Sequence, residues 1–162
     1  MANAWWNPSL ANFIPFFYQT TGIPDTVIPE SSVWFGYAYD TAINTVNPQI
    51  GAVPGPFYSQ AVYYFGCDWM INWAPDPVPP VLFPTGNRKQ LGYMAFLRAK
   101  WNLTGFTPGV VQSTADESTS ESLVVPEQLK MLTIDQLGNL KTPYGRAYLG
   151  IAQKAGVLWG LS

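Results

Sequence analysis

Thr142-Pro143-Tyr144-Gly145-Arg146-Ala147-Tyr148-Leu149 marks the start of the last predicted helix. A hydroxyl residue followed by proline is a helix-start signal. Thr142 can accept a hydrogen bond from a free N–H group of the first turn, and Pro143 stands where a missing donor costs nothing. An apolar face then recurs at helical spacing and comprises Tyr144, Tyr148, Ile151 and Ala155. The sequence therefore predicts a helix over 143–156 that packs on the rest of the chain.

The composition excludes several kinds of chemical site. The 162 residues suit one domain, with no histidine and one cysteine, Cys67. The usual general base and the commonest transition-metal ligand are therefore missing, and so is any internal disulfide or multi-cysteine zinc site. Cys67 stands in an apolar stretch, which predicts a buried small hydrophobe instead of a reactive thiol. We predict no catalytic residue, no metal and no cofactor.

Charge is scarce and aromatic side chains are abundant. Charged residues make up 11% of the chain and aromatic residues 15%, whereas ordinary domains are about 25% charged. Aromatic enrichment with few charges is typical of interface cores, so we expect much of the surface to face other protein chains. The alternative is a monomer with a slightly apolar surface. The net charge of −2 argues against a general nucleic-acid binder, and no apolar run is long enough to span a bilayer.

Three segments form the predicted N-terminal half. Residues 1–29, rich in aromatics and prolines, predict a short helical or irregular lead-in. Residues 30–46 predict a helix, preceded by Pro29, that is buried on more than one side because few of its positions are polar. Residues 57–73 predict a second helix that is apolar nearly all round and serves as the central core helix.

The middle of the chain changes character twice. Five prolines over 74–86 exclude a helix or an inner strand and favour an extended loop. A helix over 87–102 follows, and its basic side chains are expected to lie outside: Arg88, Lys89, Arg98 and Lys100.

Residues 106–125 predict an extended arm. Two β-prone runs, Gly109-Val110-Val111 and Leu123-Val124-Val125, flank a polar tip over 112–122 and suggest a β-hairpin. The alternative is a disordered linker. A short helix over 127–137 precedes the last helix. The predicted fold is mainly α: a small helical bundle with a β-hairpin or extended arm and a C-terminal helix plus tail. It forms a single domain over 1–162, with a helical core over 30–105 and the C-terminal helices and tail over 126–162.

The order of these pieces resembles the head–tail adaptors, or head-completion proteins, of tailed bacteriophages. Thr-Pro-Tyr-Gly, followed by Tyr148 and Leu149, is the most specific motif of the resemblance. The other pieces are Phe13-Ile14-Pro15-Phe16-Phe17, then Ala42-Ile43-Asn44-Thr45-Val46-Asn47-Pro48, the aromatic helix over 58–73, and the Val- and Ser-rich stretches Gly109-Val110-Val111-Gln112-Ser113 and Ser122-Leu123-Val124.

The resemblance implies a structural virion protein and not an enzyme. Such adaptors form a homo-oligomeric ring, about twelvefold, beneath the portal protein at the capsid vertex. The ring joins the capsid to the tail, continues the DNA channel and docks a downstream neck or tail protein. DNA is only passing cargo, and no membrane is involved. The implied location is the neck of the virion, after assembly in the host cytoplasm.

Three groups of residues are candidates for these contacts. Strand addition to a neighbouring subunit would use the arm residues Val110, Val111, Leu123, Val124 and Val125. Portal binding would use the last helix and tail, through Tyr148, Ile151, Val157, Leu158, Trp159 and Leu161; the alternative for Trp159 is packing within its own chain. The DNA channel would be lined by Asp116, Glu117 and Glu121, unless these carboxylates are merely solvated.

Other functions stay open at this point. Another neck or tail ring component, such as a tail-completion protein, would have the same features. A carbohydrate-binding module could use exposed Trp and Tyr rings, and would predict a β-rich domain. An enzyme could use the pair of Asp116 with Glu117 or Glu121 for acid–base chemistry. The sequence offers these carboxylates no apolar wall, and it has no phosphate-binding glycine loop or nucleophile elbow.

Overall fold

Six α-helices make up most of the described part of the chain, which comprises residues 7–77, 82–84, 90–105, 113–116, 119–122 and 134–156 of this computed structural model. The helices are α1 (Leu10–Thr21), α2 (Val33–Thr45), α3 (Phe57–Trp73), α4 (Tyr93–Lys100), α5 (Ile134–Asn139) and α6 (Pro143–Lys154), with a 3₁₀ turn over Pro48–Ala52. Two antiparallel strand pairs join β1 (Leu82–Pro84) to β2 (Gln90–Gly92) and β3 (Ser113–Asp116) to β4 (Thr119–Ser122). The prediction of a mainly α, small helical bundle is confirmed. The described residues do not form the β-rich domain expected of a carbohydrate-binding module.

Helix α3 is the centre of the bundle, with the bounds that the sequence predicts. It packs against α1, α2, α4 and α6. Nine of its residues are buried: Ser59, Ala61, Val62, Tyr63, Gly66, Cys67, Asp68, Met70 and Ile71. A Cβ atom on Gly66 would lie 2.7 Å from Cζ of Phe13, so glycine allows α1 to approach closely here. Burial raises the pKa of the Cys67 thiol well above its usual value, which confirms the predicted small hydrophobe.

The first two helices begin at serine caps. The hydroxyl of Ser9 accepts from the backbone N–H of Asn12, and α1 continues through Pro15 to Gly22, whose φ is 69°. The sequence left helical and irregular structure open for residues 1–29; residues 10–21 are helical, and residues 22–29 are not. Helix α2 begins three residues later than predicted because Ser32, and not Pro29, supplies its cap.

Helix α2 is buried along one face only. Phe35, Ala38 and Ala42 are buried, whereas Val33 and Tyr37 are exposed. The prediction that this helix is buried on more than one side is therefore wrong for the single chain. Large apolar side chains on α2 and α3 are therefore exposed, as described below.

The proline-rich stretch contains a short edge strand, which the sequence did not predict. Leu82 pairs with Gly92, and Pro84 pairs with Gln90. Proline is tolerated because each strand of a two-stranded pair has one open edge, where an N–H donor is not needed. The helix predicted from residue 87 begins only at Tyr93, because Gln90–Gly92 belongs to this strand pair.

Two charged side chains attach α4 to the end of α3. The carboxylate of Asp76 accepts from the backbone N–H groups of Met94 (2.8 Å) and Ala95 (3.1 Å) and so caps α4. The guanidinium of Arg98 donates to the carbonyls of Ile71 (2.8 Å) and Ala74 near the end of α3. Arg98 was predicted to lie outside, but it is half-buried, and burial lowers its pKa. Arg88 and Lys89 lie outside the described residues.

The arm forms a hairpin inside the stretch predicted as its polar tip. In the β3–β4 register, Thr114 lies opposite Glu121 and Asp116 opposite Thr119. The runs predicted as strands, Gly109-Val110-Val111 and Leu123-Val124-Val125, lie outside the described residues. The short helix predicted over 127–137 is described only as α5, over Ile134–Asn139.

No described helix combines the length and apolar character needed to cross a membrane. Within the same residues, no group of three or more His, Cys, Asp or Glu side chains could hold a metal ion.

Candidate interaction surface

The Thr-Pro-Tyr-Gly motif fastens the last helix to the core. The hydroxyl of Thr142 accepts from the backbone N–H of Gly145 at 3.0 Å, and so caps α6 as predicted. The same hydroxyl donates to the carboxylate of Asp68 in the middle of α3. Because Thr142 lies against Asp68 and Tyr148 against Phe65, with ring centroids 5.2 Å apart, α6 runs antiparallel to α3.

Besides Thr142, two further residues of this motif contact other parts of the chain. Tyr144 donates its hydroxyl to the carbonyl of Thr20 at the end of α1 (3.3 Å). Gly145 is buried, and a Cβ atom there would overlap the carbonyl oxygen of Asn139 and lie 2.8 Å from its carbonyl carbon. The motif therefore attaches α6 to α3 and to the end of α1.

Asp68, in the middle of α3, is a buried carboxylate. It is 5% exposed, and Asn72 donates to it at 3.2 Å. Burial raises the pKa of Asp68 from 3.8 to about 6, although the hydrogen bonds from Thr142 and Asn72 and the charge of Lys141 oppose this shift. Burial of the Asp68 carboxyl group therefore favours its neutral form.

We expect the protein to become more stable when the pH falls from 7 to 5. Since the pKa of Asp68 is higher in the folded state than its ordinary value, the folded state binds more protons between about pH 4 and pH 6. Stability conferred by that proton is present at low pH and is lost as the pH rises through 6. The expected gain is about 1 kcal/mol. Urea unfolding at the two pH values measures it.

Asp68→Asn is the matched control, because asparagine has the same shape and does not titrate. The difference in unfolding free energy between pH 5 and pH 7 should shrink by about 1 kcal/mol in this variant. An unchanged pH dependence would assign the effect to other groups.

Within the described residues, large apolar side chains are exposed on two neighbouring helices, α2 and α3. We call this surface the aromatic patch and define it by Val33, Trp34, Tyr37, Trp69 and Trp73. Three of its members are mostly exposed: Val33 (65%), Tyr37 (57%) and Trp73 (67%). Exposed apolar clusters of this kind mark sites of association.

Helix geometry brings the patch together where α2 begins and α3 ends. The ring of Trp34 lies 6.0 Å from that of Trp69 and 5.7 Å from that of Tyr37. Trp73 follows Trp69 by one helical turn, and residues four apart share a helix face. The half-buried Trp34 and Trp69 pack on the core, and Trp34 also contacts the ring of the exposed Tyr37.

The structure places the predicted site residues as follows. Tyr148 is buried against Phe65, and Ile151 packs on the chain's own core, so neither is carried into the aromatic patch. Asp116 lies in β3 and Glu121 in β4. The other candidates lie outside the described residues: Val110, Val111, Glu117, Leu123, Val124, Val125, Val157, Leu158, Trp159 and Leu161.

The aromatic patch was not predicted, although the spacing of its residues is visible in the sequence. Val33 with Tyr37 and Trp69 with Trp73 are both pairs at i and i+4. The small residues Ala38 and Ala42 mark the opposite, buried face of α2. A pair of large apolar residues opposite two alanines was the available signal for an exposed face of α2.

Comparison with known proteins gives no relative. No family model matches the chain, and neither a curated protein nor a solved structure matches it. The likeness to head–tail adaptors thus rests on the motifs quoted above and stays a prediction.

Proposed function

We propose that this protein is a structural adaptor of a phage neck, which forms a homo-oligomeric ring, about twelvefold, beneath the portal and continues the DNA channel. The observation that carries the proposal is the aromatic patch, with Val33, Tyr37 and Trp73 each more than half exposed. Such side chains are favoured in the buried centre of interfaces. The resemblance of the motifs supports a neck protein in particular.

A ring needs two different faces on each subunit, because closed cyclic assemblies use heterologous contacts. The aromatic patch is one candidate face. The hairpin arm formed by β3 and β4 is a candidate for the contact with the opposite neighbour, since isolated two-stranded hairpins are marginal in water. The proposed work is adhesion and channel formation, without catalysis.

Measurement of mass in solution, with and without the portal protein of the same virus, tests the proposal. We expect a ring when the portal is present, or at high protein concentration. A protein that stays monomeric under both conditions would refute the adaptor role.

Tyr37→Glu should weaken ring assembly at least thirtyfold, because a charge at the centre of an apolar interface costs about 2 kcal/mol or more. Unfolding by urea should change little, since Tyr37 is 57% exposed. The matched control is Gln153→Glu, which adds the same charge at an exposed position of α6. If Tyr37→Glu assembles as well as this control, the patch is not a ring interface.

A further inference from the structure

A groove lies between α1 and the N-terminal half of α3. Its volume is about 400 Å³, and none of its described lining residues is charged. The lining includes the rings of Pro15, Phe16, Pro56 and Tyr63 and the primary amides of Gln19 and Gln60. Sites of about 300–1,000 Å³ hold compact ligands with mostly apolar surface. The groove is therefore large enough for one big aromatic side chain.

The walls of the groove are fixed before anything binds. Phe16 packs on Tyr63 with ring centroids 5.3 Å apart, and the hydroxyl of Tyr63 accepts from the backbone N–H of Ser9 at 3.0 Å. Proline rings have almost no side-chain freedom to lose, so Pro15 and Pro56 add apolar surface that needs no ordering. A ring that enters the groove therefore loses little binding free energy to the ordering of the site.

Trp73, in the aromatic patch, has the chemistry that this groove accepts. It is the last residue of α3 and is 67% exposed. Its indole combines a large apolar ring with one N–H donor, and the amide oxygens of Gln19 and Gln60 are acceptors. Neither the described lining of the groove nor the patch contains a charged residue. No charge is therefore buried without a partner when the two surfaces meet.

Trp73 cannot enter the groove of its own chain. It follows Gln60 by 13 residues in the same helix, which places the two residues about 20 Å apart along the axis of α3. The groove and the patch are thus separate faces of one subunit. A contact between the patch of one copy and the groove of the next is heterologous, and a closed ring of identical subunits needs contacts of this kind.

We propose that the aromatic patch of one copy docks in the groove of a second copy, with the indole of Trp73 against the rings of Phe16 and Pro56. This inference rests on the proposed homo-oligomeric ring and names the face that receives the patch; it does not require the hairpin arm. The contact is smaller than the roughly 800 Å² per partner of a standard interface. It is therefore weak between two free copies, and ring closure stabilises it because every subunit then makes the contact twice.

Sedimentation equilibrium of two complementary variants of the full chain, without portal protein, tests the contact. Trp73→Glu disrupts the patch, and Gln19→Glu/Gln60→Glu adds two charges to the groove with almost no change of shape. At about 1 mM protein we expect the wild type to form oligomers. Each variant alone should be monomeric, with self-association weakened at least about thirtyfold. An equimolar mixture of the two should form a dimer and nothing larger, because one intact patch and one intact groove remain.

The matched control for the groove is Gln49→Glu/Gln153→Glu, which adds the same two charges at exposed positions outside the lining. This control should associate like the wild type, and circular dichroism checks that both double variants keep their helices. Because Gln19 is exposed, Gln19→Glu alone should fold in any case and weaken association at least about fivefold.

Three results would overturn the proposal: groove variants that associate as well as the control, a mixture without the dimer, or a wild type that is monomeric at about 1 mM. These results are separable from a failure of the adaptor role, which is measured with the portal present. If the mixture forms the dimer but the wild type does not assemble on the portal, the contact between copies stands and the adaptor role fails.

Discussion

Replacement of Gly145 by alanine is expected to destabilise the protein by about 3 kcal/mol or more. Gly145 is buried in the first turn of α6, and a Cβ atom there would overlap the backbone carbonyl of Asn139. A backbone group cannot rotate away as a flexible side chain can. Relief of the overlap therefore requires α6 to shift, which would disturb the bond between Thr142 and Asp68 and the packing of Tyr148 on Phe65.

Gly150→Ala is the matched control in the same helix. A Cβ atom at Gly150 would meet nothing within 4 Å, so alanine should stabilise α6 by about 0.5–1 kcal/mol through its higher helix propensity. Urea unfolding of the two variants should thus give changes of opposite sign. Two changes of the same sign and size would contradict the close contact at Gly145.

Thr142→Val is expected to cost about 3 kcal/mol. Valine keeps the shape but removes the hydroxyl, so α6 loses its cap on the N–H of Gly145, worth about 1 kcal/mol. The buried carboxylate of Asp68 also loses a donor, which costs about 1–3 kcal/mol. Chemical denaturation measures the total.

The pH dependence of the destabilisation by Thr142→Val separates the loss of the helix cap from the loss of the hydrogen bond to Asp68. The hydrogen bond from Thr142 lowers the pKa of Asp68, so its loss should raise that pKa, and the penalty should be larger at pH 7.5 than at pH 5. Thr142→Ser retains the hydroxyl and should cost less than about 1 kcal/mol. A loss that is equal for Val and Ser, and equal at both pH values, would show that the hydroxyl is not the cause.

Helix boundaries were predictable where the signal is local. Thr142-Pro143 fixes the start of α6, and the uninterrupted apolar run of α3 gives both of its ends. The start of α2 was misplaced because Pro29 and Ser32 are both start signals, and only the Ser32 side chain accepts a bond in the structure. Strand β1 was missed because the rule against proline applies to inner strands, and a local pattern does not tell whether a strand has an open edge.

The candidate surface was less predictable for a related reason. The apolar content of a helix indicates that one of its faces is buried. It does not indicate whether that face packs on the same chain or on another. In α6 the predicted face is covered by α3, as Tyr148 against Phe65 shows. In α2 the side chains of Val33 and Tyr37 are left open. The partners of Asp68 and Arg98 were also unpredictable, since each bond joins residues far apart in the sequence.

The bond between Thr142 and Asp68 also sets an order of events during synthesis. Before residue 142 has been synthesised, the face of α3 that later packs on α6 has no partner. The carboxylate of Asp68 and the ring of Phe65 are then exposed to solvent. The nascent polypeptide can complete its interior only when its last helix has emerged from the exit tunnel. Premature termination upstream of this helix would therefore yield a product that chaperones and proteases recognise as unfinished.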